Sequence, residues 1–229
     1  MAGLTEPAMN TLHIDFISDV SCPWCAIGLN GLLQAIQQLQ REAPGSFQLT
    51  LNFLPFELNP DMPPGGQDIT EHLTQKYGST PEQQAQIRAT IAQRGAEVGF
   101  AFASEGRGRI YNTFHAHRLL HWAGLQGMAE QLTLKQALLT ACHTQRQAMD
   151  DRDVLLRCVQ EAGLDTAEAQ TVLDEGRHAE EVREAEAMVA EAGIRAVPAV
   201  VVNRKHLISG GQPVANYVEA LRGIAARGA

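Results

Sequence analysis

Ser21-Cys22-Pro23-Trp24-Cys25 stands where an alternating apolar stretch gives way to a helical one. From Leu12 to Val20 the apolar residues Leu12, Ile14, Phe16 and Ile17 carry β-branched and aromatic content, the pattern of a strand. Beyond the cysteines, Ile27, Leu32, Leu33, Ile36 and Leu39 recur at helical spacing to about Arg41. Pro23 suits a first helical position, where its missing N–H would be unpaired anyway. Pro44-Gly45 ends that element, and Phe47 to Phe56 alternates again as a second strand. Strand, helix, strand over this length is a βαβ unit with parallel strands and a right-handed crossover. Cys22 thus falls at or just before the first helical turn, where free N–H groups and the helix dipole favour an anion. The thiolate is the attacking form of cysteine. Cys25, one turn along, is placed to resolve a mixed disulfide formed at Cys22. The competing reading, half of a zinc site, needs further ligands, ideally a second such pair. Cys142 and Cys158 instead stand alone within helical patterns and read as small core residues.

Working outward, residues 1–10 read as a loose arm and the Pro- and Gly-rich Asn59 to Gly66 as a loop. From 67 to 193 no strand pattern is evident. Thr80-Pro81-Glu82-Gln83 forms a capping box for a helix running towards Gly95 or Gly99. Further helices are expected over Ile110 to Ala123 and Met128 to Gln147, then after Asp150 or Asp151 and after Asp165. A last one runs to Ala192 and stops at Gly193. The charge-rich run from Glu175 to Glu191 reads as a solvated face. Strand character returns at Pro198 to Val202, and a turn near Asn203-Arg204 leads to His206 to Ser209, a hairpin. Pro213 opens a final helix. The domain expectation is therefore a discontinuous α/β domain, residues 10–66 and 194–229, interrupted by an all-helical insertion over 67–193.

The chain has 229 residues, 45% hydrophobic and 19% charged, enough apolar material for a real core. Its net charge of −8 and lack of any Lys/Arg cluster argue against nucleic acid as a partner. No run of roughly 18 apolar residues exists to span a membrane, and the start, Met1-Ala2-Gly3-Leu4, lacks the pattern of a secretory signal. The expected location is the cytoplasm, where a close cysteine pair points to catalysis or metal rather than a structural disulfide. His117 and His121 are four apart, but Arg118 follows His117 in place of the glutamate of a zinc protease, so they read as helix histidines and no metal is expected. Gly106-x-Gly108 follows no strand and lacks the third glycine of a nucleotide fingerprint.

Five segments together resemble the DsbA-like oxidoreductases, most closely their cytoplasmic FrnE-type branch: Ser18 to Gly28, Pro55 to Pro63, Asn112 to Leu119, Gly193 to Pro198 and Ser209 to Pro213. The resemblance implies a thioredoxin-like fold with a helical insertion and catalytic Cys22 and Cys25. It implies a cis Pro198 against that pair, with Val197 offering backbone groups to an extended substrate. It also implies that Pro23, Trp24, Asn112 and His117 border the substrate groove. The expected substrates are disulfides of proteins or small thiols. No resident cofactor is implied beyond the Cys22–Cys25 disulfide, with glutathione open as reductant or substrate. The Pro-Trp between the cysteines departs from the Pro-His of the periplasmic oxidants; Trp24 cannot stabilise a thiolate by charge, so their strongly oxidising character is not carried over. A glutathione-using branch, kappa-class transferases and an isomerase, shares the layout but carries serine at the position of Cys22. Three readings follow: dithiol–disulfide exchange, a glutathione-dependent transferase or isomerase, and a redox-switched binding protein or holdase.

Overall fold

Alternation along the first strand sorts its side chains between two environments. In the computed structural model, which describes residues 10–45 and 47–227, β1 spans Asn10–Ser18. Leu12, Ile14 and Phe16 point into the main core beneath helix α1 (Pro23–Glu42). His13 and Asp15 face the other way, their side chains 3.2 Å apart and partly solvated. β2 (Phe47–Pro55) pairs with β1 in parallel, in a register that sets Ile14 beside Leu51 and Phe16 beside Phe53. The two phenylalanine rings meet edge to face at 5.8 Å, and burying each ring is worth about 1.5–3 kcal/mol.

The chain then leaves this sheet. β3 (Gln67–Asp68), α2 (Ile69–Tyr77), α3 (Pro81–Glu97) and β4 (Arg109–Ile110) come first. α4 (Phe114–Gln126), α5 (Met128–His143), α6 (Arg152–Glu161), α7 (Thr166–Asp174) and α8 (Ala179–Glu191) follow. The hairpin β5 (Ala199–Val202) and β6 (His206–Ser209) and helix α9 (Val214–Ala226) close the fold. β5 runs antiparallel to β1, so the sheet order is β2-β1-β5-β6. This is a thioredoxin-like α/β fold in which α1 and α9 cover one face and helices are inserted between the parallel and antiparallel strand pairs. The turn Asn203–Lys205 holds Asn203 and Arg204 at positive φ, and Asn203 exchanges two hydrogen bonds with His13 (2.7 and 2.9 Å), tying the hairpin to β1.

Two expectations need correcting. The inserted segment is not wholly helical: β3 and β4 form a short antiparallel ladder. Two-residue strands carry no alternation to read. For the same reason α4 starts at Phe114 and not Ile110: Ile110 is in the ladder, and the Asn112 carboxamide oxygen accepts from the Phe114 N–H at 2.9 Å, fixing the helix entry. Other starts follow the sequence signals, with the Thr80–Gln83 capping box closed in both directions and Asp151 and Asp165 each capping their helices. The arm up to residue 9 lies outside the described residues.

The helical layer has its own core, built from α4 to α7, and Val20 of the strand-to-helix turn is inserted in it. Cys22 and Cys25, two and five residues later, belong to the core beneath α1. The turn bearing the cysteines therefore crosses the seam between two packed clusters. Gln131 of α5 reinforces that seam by covering the outer edge of β2: it accepts from the Phe53 N–H at 3.1 Å and donates to the Phe53 carbonyl at 3.3 Å. At Phe53 the edge of β2 is thereby closed to pairing with another chain.

Candidate active site

Cys22 is the N-cap of α1, in extended conformation, with Pro23 opening the helix. Its carbonyl accepts from the Cys25 N–H at 3.1 Å. Its sulfur is 3.7 Å from the Val197 carbonyl oxygen, to which the thiol donates. The Val197–Pro198 peptide bond is cis, and Pro198 is buried while Val197 is partly exposed. Pro23 and Trp24 are also partly exposed, at the mouth of the turn. Cys22, Cys25, Trp24, Val197 and Pro198 are thus brought together from opposite ends of the chain.

Two glycines permit that approach. A Cβ on Gly28 would lie 3.0 Å from the Pro198 ring and 3.3 Å from the Tyr217 hydroxyl, and one on Gly211 would lie 3.0 Å from the Trp24 carbonyl. The Tyr217 hydroxyl, fully buried, donates to the Gly210 carbonyl at 3.1 Å and fixes the loop behind α1. Gly28→Val is expected to cost about 1–3 kcal/mol through overpacking. Because the strain falls on Pro198, turnover should drop more than the change in melting temperature accounts for. Unchanged turnover would remove Pro198 from the working surface.

The two thiols differ. The Cys25 thiol, hydrogen-bonded to the Cys22 sulfur, holds the Cys22 pKa below the ordinary cysteine value, against the opposing effects of burial and the Asp19 charge; the N–H groups of Cys25 and Trp24 add to the lowering. Burial first, and then the Cys22 sulfur, push Cys25 well up. Relative exposure is 4% for Cys22 and 0% for Cys25. Iodoacetamide near neutral pH is therefore expected to alkylate Cys22 first, with a rate that rises through a pKa below the ordinary value near 9; labelling of Cys25 first, read by peptide mass, would reverse the roles.

Asp19 organises the turn, a role that its place in a matched segment did not by itself disclose. Fully buried, it accepts from the Ser21 N–H (2.9 Å), the Leu58 N–H (2.7 Å) and the Thr113 hydroxyl (2.8 Å). Burial would raise its pKa, but the His117 imidazole and the Leu58 and Ser21 amides outweigh it and hold the carboxyl below its usual value. His117 is 2% exposed, with its Nε2 3.6 Å from the Asp19 carboxylate, an electrostatic contact too long for a good hydrogen bond. It lies behind the cysteine turn, not on an open groove wall. Asn112 is partly exposed and donates to the Pro60 carbonyl at 3.1 Å, so it anchors the loop after β2. Arg118 is buried against the carbonyls of Val172 and Arg177.

Other residues around the site are also new. Arg107 reaches from the loop before β4 to the Ser21 hydroxyl (3.1 Å) and the Cys142 sulfur (3.6 Å). Lys135 of α5 is completely buried, its Nζ without a hydrogen-bond partner among the described residues; burial lowers its pKa while Cys25, Asp19 and Cys22 oppose the lowering. Tyr77 of α2 is 62% exposed, and after burial the charge of Cys22 is the next influence raising its phenol pKa. Cys142 and Cys158 are free and buried in the helical core, with burial pushing Cys158 up to about 12.

Residues 13–222 match the family of DSBA-like thioredoxin domains. A probable DsbA oxidoreductase from Streptomyces coelicolor superposes with a TM-score of 0.83 at 29% identity, over 93% of this chain and 89% of that one. The cytosolic disulfide reductase DsbM of Pseudomonas aeruginosa, solved with GSH, shares the fold with a TM-score of 0.60 at 17% identity, over 94% and 99% of the two chains. The uncharacterised protein YwbO of Bacillus subtilis is 25% identical over 193 residues, 84% of this chain and 87% of that protein. With a cysteine pair at the strand-to-helix turn and a matching fold over nearly its whole length, this chain belongs to the DsbA-like thioredoxin-fold family of disulfide oxidoreductases and isomerases, which act on thiol or disulfide substrates.

Proposed function

We propose that this protein is a cytoplasmic thiol–disulfide oxidoreductase or isomerase of the FrnE-type branch, with Cys22 and Cys25 as its dithiol. The observation that carries the reading is the asymmetry of the pair: a lowered thiol at the helix N-cap beside the Val197 carbonyl, and a raised, fully buried partner one turn on. In the reducing direction the Cys22 thiolate attacks one sulfur of a substrate disulfide, and the other sulfur leaves as a thiolate that takes a proton. Cys25 then loses its proton and attacks the Cys22 sulfur. The mixed disulfide breaks, the second substrate thiol is released, and a Cys22–Cys25 disulfide remains. The reverse sequence oxidises a substrate dithiol. No resident cofactor is needed; glutathione suits the role of external reductant. A peptide lying extended beside Val197 would bring its sulfur to Cys22, with the partly exposed Trp24 as an apolar contact.

Among the described residues no helix is long and apolar enough to cross a membrane, and the chain carries a net charge of −8. A glutathione-dependent transferase on the same scaffold has one supporting observation, the fold shared with the Pseudomonas protein solved with GSH. The test is insulin reduction driven by dithiothreitol, run beside conjugation of glutathione to a small electrophile. Faster precipitation of the insulin B chain with no conjugation is the expected result. Conjugation without insulin reduction would favour the transferase, and neither activity would favour a redox-switched binding protein.

A further inference from the structure

The histidines weighed from the sequence as an i, i+4 pair do not converge: His117 turns to Asp19, while the His121 ring lies against His178, with centroids 5.0 Å apart. His178 is the N-cap of α8, held at φ 62°, and its Nδ1 is 3.4 Å from the Glu181 carboxylate in the first turn. One ligand-type atom each from His121, His178 and Glu181 lies within 4.8 Å of the other two. A tetrahedral zinc ion with ligands at about 2.1 Å sets neighbouring donor atoms about 3.4 Å apart. The His178–Glu181 separation already has that value, and the third donor would close from within 4.8 Å by rotation of the side chains, Glu181's being half-exposed.

The geometry points to a divalent zinc-class metal site formed by His121, His178 and Glu181, outside the cysteine centre, with three protein ligands and its remaining position open. The donor set, two imidazoles and a carboxylate, suits zinc and its late first-row neighbours and disfavours magnesium and calcium. Space for the open position is present: His121 and Glu181 line a cavity of about 320 Å³ between β2, α4 and α8. Glu184 lines the same cavity and adds negative charge. The buried ends of His117 and Lys135 also border it, and neither the His117 Nε2 nor the Lys135 Nζ has a hydrogen-bond partner among the described residues. His178 and Glu181 lie sixty residues or so beyond His121, so no local spacing announces the set.

The test titrates zinc, in competition with a chelating dye, into the full-length Cys22→Ser/Cys25→Ser protein, so that those thiolates do not compete. One equivalent should bind. On the same background His121→Ala, His178→Ala and Glu181→Gln should each weaken binding by at least about 10-fold, while His13→Ala should not. Carbethoxylation mapped by peptide mass, on protein with all its histidines, gives a readout independent of whether those variants fold. Zinc should protect His121 and His178 and leave His13 and His206 reactive. Absence of binding at millimolar zinc, equal affinity in the three variants, or protection at other histidines would each overturn the site.

Discussion

Cys25→Ser is expected to convert turnover into capture. The variant keeps the Cys22 sulfur at the N-cap of α1, beside the Val197 carbonyl, so attack on a substrate disulfide still occurs. What it lacks is the second thiol, so the mixed disulfide has no internal route to resolution. Multiple-turnover reduction should fall by at least about 10³-fold, the scale on which removal of one member of a coupled catalytic set acts. Non-reducing gels should show covalent adducts at Cys22. The serine hydroxyl can donate to the Cys22 sulfur in place of the thiol, so the Cys22 pKa should stay below its ordinary value and capture should persist near neutral pH. Cys22→Ser should lose turnover to the same extent and form no adducts, because Cys25 is wholly buried and its pKa is raised well above the usual value. Equal trapping by both variants, or turnover retained in either, would mean that the pair is not a catalytic dithiol.

What the sequence revealed and what it hid follow from the range of the forces involved. The βαβ unit is legible because alternation, a break at Pro44-Gly45 and a Pro at N1 are all local. Helix starts after Thr80, Asp151 and Asp165 are legible because a cap is a contact within three residues. The β3–β4 ladder joins segments about forty residues apart and is only two residues long, so neither period nor composition marks it. Lys135 shows the sharper failure. In sequence it is a lysine within a helix, a residue type expected in water, yet it is completely buried behind Cys25. His117 fails in a similar way, its helix face being decided by the distant Asp19. The cysteines, by contrast, needed only their own turn to be recognised, and Val197 and Pro198 only the family resemblance. Asp19-Val20-Ser21 does carry a local signal, an aspartate accepting from the N–H two residues on, and that Asx-type turn is the mark by which the organising carboxylate could have been found.

The largest stability effect is expected at that carboxylate. Asp19→Ala would leave three donors without an acceptor: the buried Ser21 amide and Thr113 hydroxyl and the half-buried Leu58 amide. Each such group costs about 1–3 kcal/mol when unsatisfied, and partial relaxation of the turn brings the expected total to about 3–5 kcal/mol. For a chain of this size that corresponds to a fall of about 10 °C or more in Tm. Asp19→Asn keeps the shape and one acceptor oxygen, so its loss should be smaller, but it removes the charge and thereby separates two effects of opposite sign. The folded pKa of Asp19 lies below its ordinary value, so its contribution to stability is complete above the unfolded value of about 3.9 and is lost as pH falls through the folded value. Wild type should therefore lose stability steeply on acidification in that range, and Asp19→Asn should lack that part of the acid limb. At the cysteine the sign reverses. The Asp19 charge opposes the Cys22 thiolate, so its removal should lower the Cys22 pKa further and speed alkylation near neutral pH even as the protein becomes less stable. Denaturant unfolding from pH 7 down to about pH 2, read beside the pH profile of alkylation near neutral pH, measures both. A variant with the wild-type acid limb, or with slower alkylation while still folded, would show that Asp19 neither supports the turn by its charge nor acts on the thiolate.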